Sequence, residues 1–339
     1  MDINFLFGWK KEITYIENRF LGTFFRLSYV TLFGVFLMSC QKQKTQSESY
    51  YSIDREKIDE AFNKDKSKVL LDHLYVVVDS VTYSRLVNDN RWKNTYASFD
   101  RGLPDFAAVN MHASTCYLRG HRHYIEILGP KNTYNESVGK SGIGFSLKNK
   151  EEHFHLGLKP KLKPSKSSLL QAVQTVQMPL RDYKYTWFKA FYTPSPGTSL
   201  HTWYAFYNPS FLDSLYGKHY TSYSREAFLE PNYKKKKLFN GVKEIYATCT
   251  LDDYLRIVQE LKHLQCELLQ RKGNILMIKG GDVILHIEPS DIVAYSRITK
   301  IICELNNADY SITRLGNLII TNQGNKSIWN LKNLYNNNP

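Results

Sequence analysis

Two side chains in this 339-residue sequence have types and surroundings that require a chemical explanation. His73 lies in "LDHLYVVVDS", a run otherwise composed like a buried strand, and Glu126 lies between Ile125 and Ile127 in "HYIEILGP". Residues i and i+2 share a face of a strand, so His73 is expected beside Leu71, Tyr75 and Val77, with Glu126 inside an apolar row. An ionised carboxylate there is costly unless it meets a metal ion, a cation or several donors. Arg119, Arg122 or His73 itself would serve as that partner in a purely structural pair, and a divalent ion would serve equally. His112, His121 and His123 crowd the same region and are expected at the surface. Other catalytic signatures are missing: there is no GxSxG elbow, Walker loop, HExxH or dinucleotide fingerprint, and the glycine-rich "GKSGIG" has no helix behind it.

The elements that must hold these residues follow from periodicity. The core begins at Val69 with "VLLDHLYVVVD" as a strand and "SVTYSRLVND" as a helix with Ser80 at its N-cap. "FAAVNMHAS", "CYLRGHR" and "HYIEILGP" follow as strands, so the order is βαβββ. The order returns near the C-terminus. "GVKEIYATCT" is a strand, Thr250 and Asp253 open a helix with Leu251, Tyr254, Leu255, Val258, Leu261 and Leu264 on its buried face, and "NILMIKG" and "DVILHIEP" are strands. Set without gaps, the two units oppose Tyr75 to Tyr246, Tyr83 to Tyr254 and His73 to Glu244. Between them "SGIGFSLKN" reads as a strand, "SSLLQAVQTVQ" as a short helix, and "YKYTWFKAFYT" and "SLHTWYAFYN" as strands. After Pro289, "ITKIICELNN" and "NLIITNQ" form a shortened fourth unit. The fold class is therefore α+β, with repeated βαβββ modules forming curved mixed sheets. The aromatic residues Tyr185, Trp187, Phe188, Trp203, Tyr204 and Tyr207 are either ordinary sheet packing or, with Tyr75, the lining of a pocket for an apolar or sugar-like ligand.

With its units laid out, the chain resembles the larger glyoxalase-like members of the vicinal oxygen chelate superfamily over roughly residues 69 to 325. "LDHLYVVVDS" is similar to that family's opening strand with its histidine, "HYIEILGP" to the strand ending in a glutamate ligand, and "NGVKEI" to the start of a later module. The resemblance implies paired modules forming a cup with a metal or substrate inside, and His73 and Glu126 match the ligand positions of a first module. "GIGFSL" offers no ligand in the second module, and "HTWYAFY" offers only His201. One divalent ion would then need His73, Glu126 and at least one of His201, Glu244 or His286, and would polarise a carbonyl or hold two neighbouring oxygens while a base moves a proton. The implied functions are small-molecule binding in the cup, with Tyr75, Trp187, Trp203 and Tyr204 at the ligand, or a metal-dependent isomerase, lyase or dioxygenase. A structural surface protein without a ligand is the third alternative.

The N-terminus bears on location. Arg26 precedes "LSYVTLFGVFLM", which has the length of a signal h-region and is too short to span a bilayer. The following Leu37-Met38-Ser39-Cys40 resembles a bacterial lipobox, implying a signal peptide over 1–39 and a lipid on Cys40 that holds the chain to a membrane of the cell envelope, on its periplasmic or surface side. The expected organisation is a tether over 40–68, paired modules over 69–210, a basic and aromatic connection over 211–240, a third module with the shortened fourth over 241–330, and a disordered tail over 331–339. The net charge of +13 is scattered apart from Lys234 to Lys237, and no nucleic-acid motif accompanies it, so a nucleic-acid partner is not expected. Cys116, Cys249, Cys266 and Cys303 contain no CxxC, and no essential disulfide is expected.

Overall fold

The computed structural model describes residues 52–53, 69–100, 112, 114–132, 134–147, 168–169, 172–180, 183–193, 195 and 197–335. The lipobox with Cys40, the tether apart from Ser52–Ile53, most of "FAAVNMHAS" and residues 336–339 lie outside them. Ser52–Ile53 pairs in parallel with Ser168–Leu169.

The first unit runs β1 (Val69–Val77), α1 (Ser80–Asn88), β2 (Ser98–Asp100), β3 (Thr115–Arg119) and β4 (Tyr124–Leu128). The second supplies β5 (Ser141–Leu147), β6 (Ala172–Leu180), β7 (Tyr183–Tyr192) and β8 (Leu200–Tyr207). Together they make an eight-stranded mixed sheet in the order β2-β3-β4-β1-β5-β8-β7-β6. In each unit the first strand is parallel to the last, β1 to β4 and β5 to β8, and the two units join through the antiparallel pair β1 and β5.

A connection carrying α2 (Pro209–Tyr216) and α3 (Arg225–Leu229) leads to β9 (Phe239–Cys249), α4 (Leu251–His263), β10 (Glu267–Lys272), β11 (Ile275–Gly280) and β12 (Val283–Pro289). β13 (Arg297–Asp309), β14 (Ile312–Leu315) and β15 (Leu318–Asn330) complete a seven-stranded sheet in the order β10-β11-β12-β9-β13-β15-β14. Here too the first strand of the unit is parallel to its last, β9 to β12, and pairs antiparallel with the strand that opens the shortened unit, β13. The fold is α+β, with repeated units in curved mixed sheets.

Both sheets lie in one compact unit, Tyr50–Pro339, and share one apolar core. Leu74, Val76, Ile125, Ile143, Phe145 and Leu200 of the first sheet meet Ile245, Leu285, Ile287, Ile301 and Trp329 of the second, with Leu86 of α1 and Ile257 and Leu261 of α4 between them. Each of these large side chains contributes about 1.5–3 kcal/mol by leaving water. The outer face of each sheet, away from this core, carries the polar residues of interest.

Three local expectations are corrected. The N-cap of α1 is Asp79, not Ser80: its carboxylate accepts from Thr82 N at 2.9 Å and Thr82 Oγ1 at 2.6 Å. Burial alone would raise the Asp79 pKa, but these bonds and one from Asn317 outweigh it and hold the carboxyl below its ordinary value. The segment read as a helix, "SSLLQAVQTVQ", is extended where described, because β6 takes its hydrogen bonds from β7 as an edge strand. On α4, Leu251 and Leu255 are exposed, whereas Asp253, Arg256 and Glu260 are buried with Ile257, Leu261 and Leu264. After Asn330 the chain makes a tight turn, Lys332–Tyr335, that buries Leu331 and Leu334.

Candidate functional site

The reason for a histidine and two acids in "LDHLYVVVDS" lies in one irregularity of β1. Leu71 pairs with Phe145 and His73 with Gly144, so Asp72 is an extra residue, a β-bulge. Before the bulge Val69 and Leu71 enter the shared core; after it Leu74, Val76 and Val78 do. His73 therefore does not share a face with Leu71, as strict alternation would require. Asp72 and His73 instead emerge side by side on the outer face, and Asp72 Oδ2 lies 2.6 Å from His73 Nδ1. The same carboxylate accepts the hydroxyl of Tyr207 on β8. Asp72 is 4% exposed, so the imidazole and phenol supply the donors that a buried carboxylate needs. The second acid, Asp79, is the helix cap already described.

Around this pair the outer face is built from rings. His73 stacks on Tyr124 with centroids 4.3 Å apart and meets Trp203 edge-on at 5.1 Å. Tyr75 stacks against Trp203 at 6.1 Å and His201 at 6.5 Å. Gly142 and Gly144 of β5, which offered no ligand in sequence, make room for these rings: a Cβ on either would collide with Tyr75 or Trp203. Glu126 stands opposite Tyr75 in the β1–β4 register and accepts from Tyr117 Oη at 3.0 Å. Burial raises its pKa above the ordinary 4.5, against the lowering pull of His73, Tyr117 and Arg119. Burial also lowers the His201 pKa, to about 4, so this imidazole is neutral near pH 7. Arg119 is fully buried, bonded through Nε to Asp100 at 2.6 Å, with its guanidinium over the rings of Tyr117 and Tyr124.

The connecting segment closes one side of this face. Tyr223 stacks on Tyr207 at 4.1 Å, Phe228 meets Tyr124 and Trp187, and Phe211 meets Trp187. Trp187 is itself the extra residue in a register shift between β6 and β7, which turns its indole under α2 and α3. Trp203 and His201 remain partly exposed, so access to the face lies on the side of Tyr75, His201 and Trp203.

Of the five residues considered as metal ligands, His73, Glu126 and His201 share this face, but Glu244 and His286 lie on the outer face of the other sheet. There Glu244 Oε2 lies 2.7 Å from His286 Nε2 and accepts from Tyr246 Oη at 2.8 Å. Among the described residues no three His, Cys, Asp or Glu side chains converge as a metal centre requires. Of the four pocket candidates, Tyr75 and Trp203 belong together and Trp187 borders them. Tyr204 points the other way, into the shared core, where its hydroxyl donates to Glu260 at 2.8 Å.

Two polar clusters invisible in the sequence join the sheets. His123, expected at the surface, is fully buried, accepts from Val242 N at Nδ1 (3.0 Å) and meets Asp282 at 3.1 Å. Burial lowers its pKa and keeps it neutral, while Asp282, despite burial, is held well below the usual carboxylate range by His123 and Arg225. On α4, Glu260 is fully buried and accepts from Thr193 at 2.5 Å, Thr202 at 2.7 Å and Arg256 at 3.1 Å as well as Tyr204. The four described cysteines are free thiols, and burial pushes the pKa of Cys249 and Cys266 up to about 12, so neither thiolate forms near neutral pH.

Fold and site thus define an α+β protein of repeated units, the first and third in βαβββ order, with a ring-lined polar face on its first sheet. The chain belongs to a family of unknown function, DUF5829, whose model matches residues 71–331. No curated protein matches it. Among solved structures, a hypothetical protein from Staphylococcus aureus is similar at a TM-score of 0.41 and 12% identity, over 68% of this chain and 88% of that one.

Proposed function

We propose that the outer face of the first sheet binds a small molecule, and that the protein is a ligand-binding lipoprotein of the bacterial cell envelope tethered through Cys40. The observation that carries this reading is the aspartate at the bulge, Asp72. The bulge interrupts the strand to set a carboxylate and an imidazole side by side, next to the partly exposed indole of Trp203. The equivalent bulge of the third unit holds Lys243, which turns away to Glu304, so the carboxylate beside the imidazole is particular to the first unit. Trp203 offers a flat stacking surface, and His73, His201 and Glu126 offer hydrogen bonds around it, which suits a ring bearing hydroxyl or carboxylate groups.

A second reading, enzymatic proton transfer, is favoured by Asp72 itself. A carboxylate on Nδ1 fixes the imidazole tautomer and leaves Nε2 for a substrate proton. The metal-dependent form of that reading retains His73 and Glu126 as neighbours, within electrostatic reach of each other.

The test is a thermal-shift screen of the purified protein against cyclic sugars, aromatic acids and divalent ions, with bound metal measured in parallel. A ligand of the first two classes should raise the melting temperature of the wild type and not of Trp203→Ala. A shift from a divalent ion that is lost in both His73→Ala and Glu126→Gln would establish the metal reading instead. If no class shifts the wild type, the face is internal packing and the binding proposal fails.

A further inference from the structure

We propose that the open edge strand β10 joins two copies of this chain into a two-fold symmetric dimer. Among the described residues β10 ends the seven-stranded sheet, paired with β11. All six of its residues are exposed, including Leu268 at 57% and Leu269 at 41%. Leu251 (54%) and Leu255 (38%) of α4 are exposed as well. Tyr254 Oη, on the same helix, reaches the carbonyl of Asn274 in the β10–β11 turn at 3.3 Å. Exposed leucines on the strand itself thus accompany an edge row of backbone donors and acceptors, the arrangement that invites strand addition.

The charge order of β10 selects the partner. The strand reads Glu267-Leu268-Leu269-Gln270-Arg271-Lys272. Paired antiparallel with its own copy about the midpoint between Leu269 and Gln270, it places Glu267 opposite Lys272 of the second copy at both ends. Opposite charges directly across a pair of strands attract, and a two-fold axis makes the contact twice. The same strand paired in parallel and in register would set like charges face to face, so the antiparallel dimer is the arrangement its charges favour. The interface is isologous and closes at two copies, because each copy's β10 is taken up by the other.

The bulge at Leu269 and the cations at Arg271 and Lys272 are also devices by which a monomer guards an edge. A charge swap separates the two roles. The full chain in mild detergent is followed by sedimentation equilibrium over a range of concentrations. The wild type should dimerise. Glu267→Lys and Lys272→Glu, each creating two like-charge contacts per dimer, should weaken dimerisation about tenfold or more. The double variant Glu267→Lys/Lys272→Glu should restore it to near the wild-type value, which a loss of folding would not do. Circular dichroism of each variant checks the fold. A monomeric wild type, single variants that dimerise as the wild type does, or a folded double variant that fails to recover would each overturn the proposal.

Discussion

Replacing Asp72 by Ala tests the pair on which the site is built. In the folded protein its carboxylate accepts from the Tyr207 hydroxyl and lies 2.6 Å from His73 Nδ1. Hydrogen bonds to a charged group contribute about 1.5–3 kcal/mol each, so two lost together amount to about 3–6 kcal/mol. Against this, Asp72 is nearly as buried as a core leucine, and removing it relieves the desolvation of a carboxylate. The expected net destabilisation is about 2–4 kcal/mol. Tyr207→Phe removes one donor and leaves His73 to hold the carboxylate, for about 1–2 kcal/mol. In the double variant no phenol remains to be stranded, so its cost should fall below the sum of the singles by about 1–2 kcal/mol. Urea titrations followed by tryptophan fluorescence measure all three, and the nitrogen chemical shifts of His73 report whether its tautomer is lost with Asp72. Additivity within about 0.5 kcal/mol, or an unchanged His73 tautomer in Asp72→Ala, would refute the reasoning.

Three further outcomes are expected. Glu126 has a folded pKa above its ordinary 4.5, so its contribution is present below that pH and lost as the pH rises through the raised value; Glu126→Gln should therefore gain in melting temperature relative to wild type between pH 4 and pH 7, and a relative loss would show the carboxylate to be stabilised as an anion. Glu260→Ala removes the acceptor of three buried hydroxyls and of Arg256 Nη1, while Asp253 still pairs with the guanidinium, and should destabilise by about 2–4 kcal/mol in a urea titration; a value below about 1 kcal/mol would contradict the network. Cys40→Ala should release the chain from the membrane fraction or stall its processing, and unchanged fractionation would remove the basis for the lipoprotein reading.

Much of the architecture was legible because strands and helices in this chain keep their periods. The strands β1, β3 and β4 of the first unit with its helix, the aromatic strands β7 and β8, and the strands β9, β11 and β12 with α4 could be read from apolar spacing and turn residues; β2, Ser98–Asp100, and β10 could not, and "FAAVNMHAS" lies mostly outside the described residues. β6 could not, since "SSLLQAVQTVQ" has apolar spacings compatible with a helix and only the neighbouring β7 makes it extended. The buried face of α4 departs from the apolar stripe for a related reason. Leu251 and Leu255 fit a helical stripe, yet the helix presents Asp253, Arg256 and Glu260 inward because β8 and its approach supply Thr198, Thr202 and Tyr204 as partners. The burial of His123 is not legible in the sequence because it depends on Asp282 and Val242, both more than 100 residues away. Asp72 carried one usable signal. An acid directly beside a histidine inside an apolar strand breaks the two-residue alternation, and a bulge is the way a strand accommodates that.

The ungapped match between the two ends of the chain shows what the bulge contributes. It opposes His73 to Glu244 and Tyr75 to Tyr246, and in the sheets Tyr75 stands beside Glu126 on β4 as Tyr246 stands beside His286 on β12. The imidazole and carboxyl have therefore exchanged strands between the first unit and the third. Both units are also bulged at the equivalent place, since β9 shifts register between Val242 and Glu244, leaving Lys243 where β1 has Asp72. The outcomes differ because the bulged residues differ. Lys243 turns to Glu304 at 3.4 Å, so Glu244 and His286 satisfy each other at 2.7 Å, with Tyr246 stacked on the imidazole and Lys300 over the Tyr246 ring. That pair is closed. In the first unit Asp72 takes the Nδ1 side of His73 and Tyr117 takes Glu126, so the imidazole and the carboxyl have separate partners and each keeps a polar atom free of the other. The bulge belongs to the repeat, whereas the aspartate placed in it belongs to the first unit alone, and the proposed ligand is assigned to the first sheet, and not the second, on that ground.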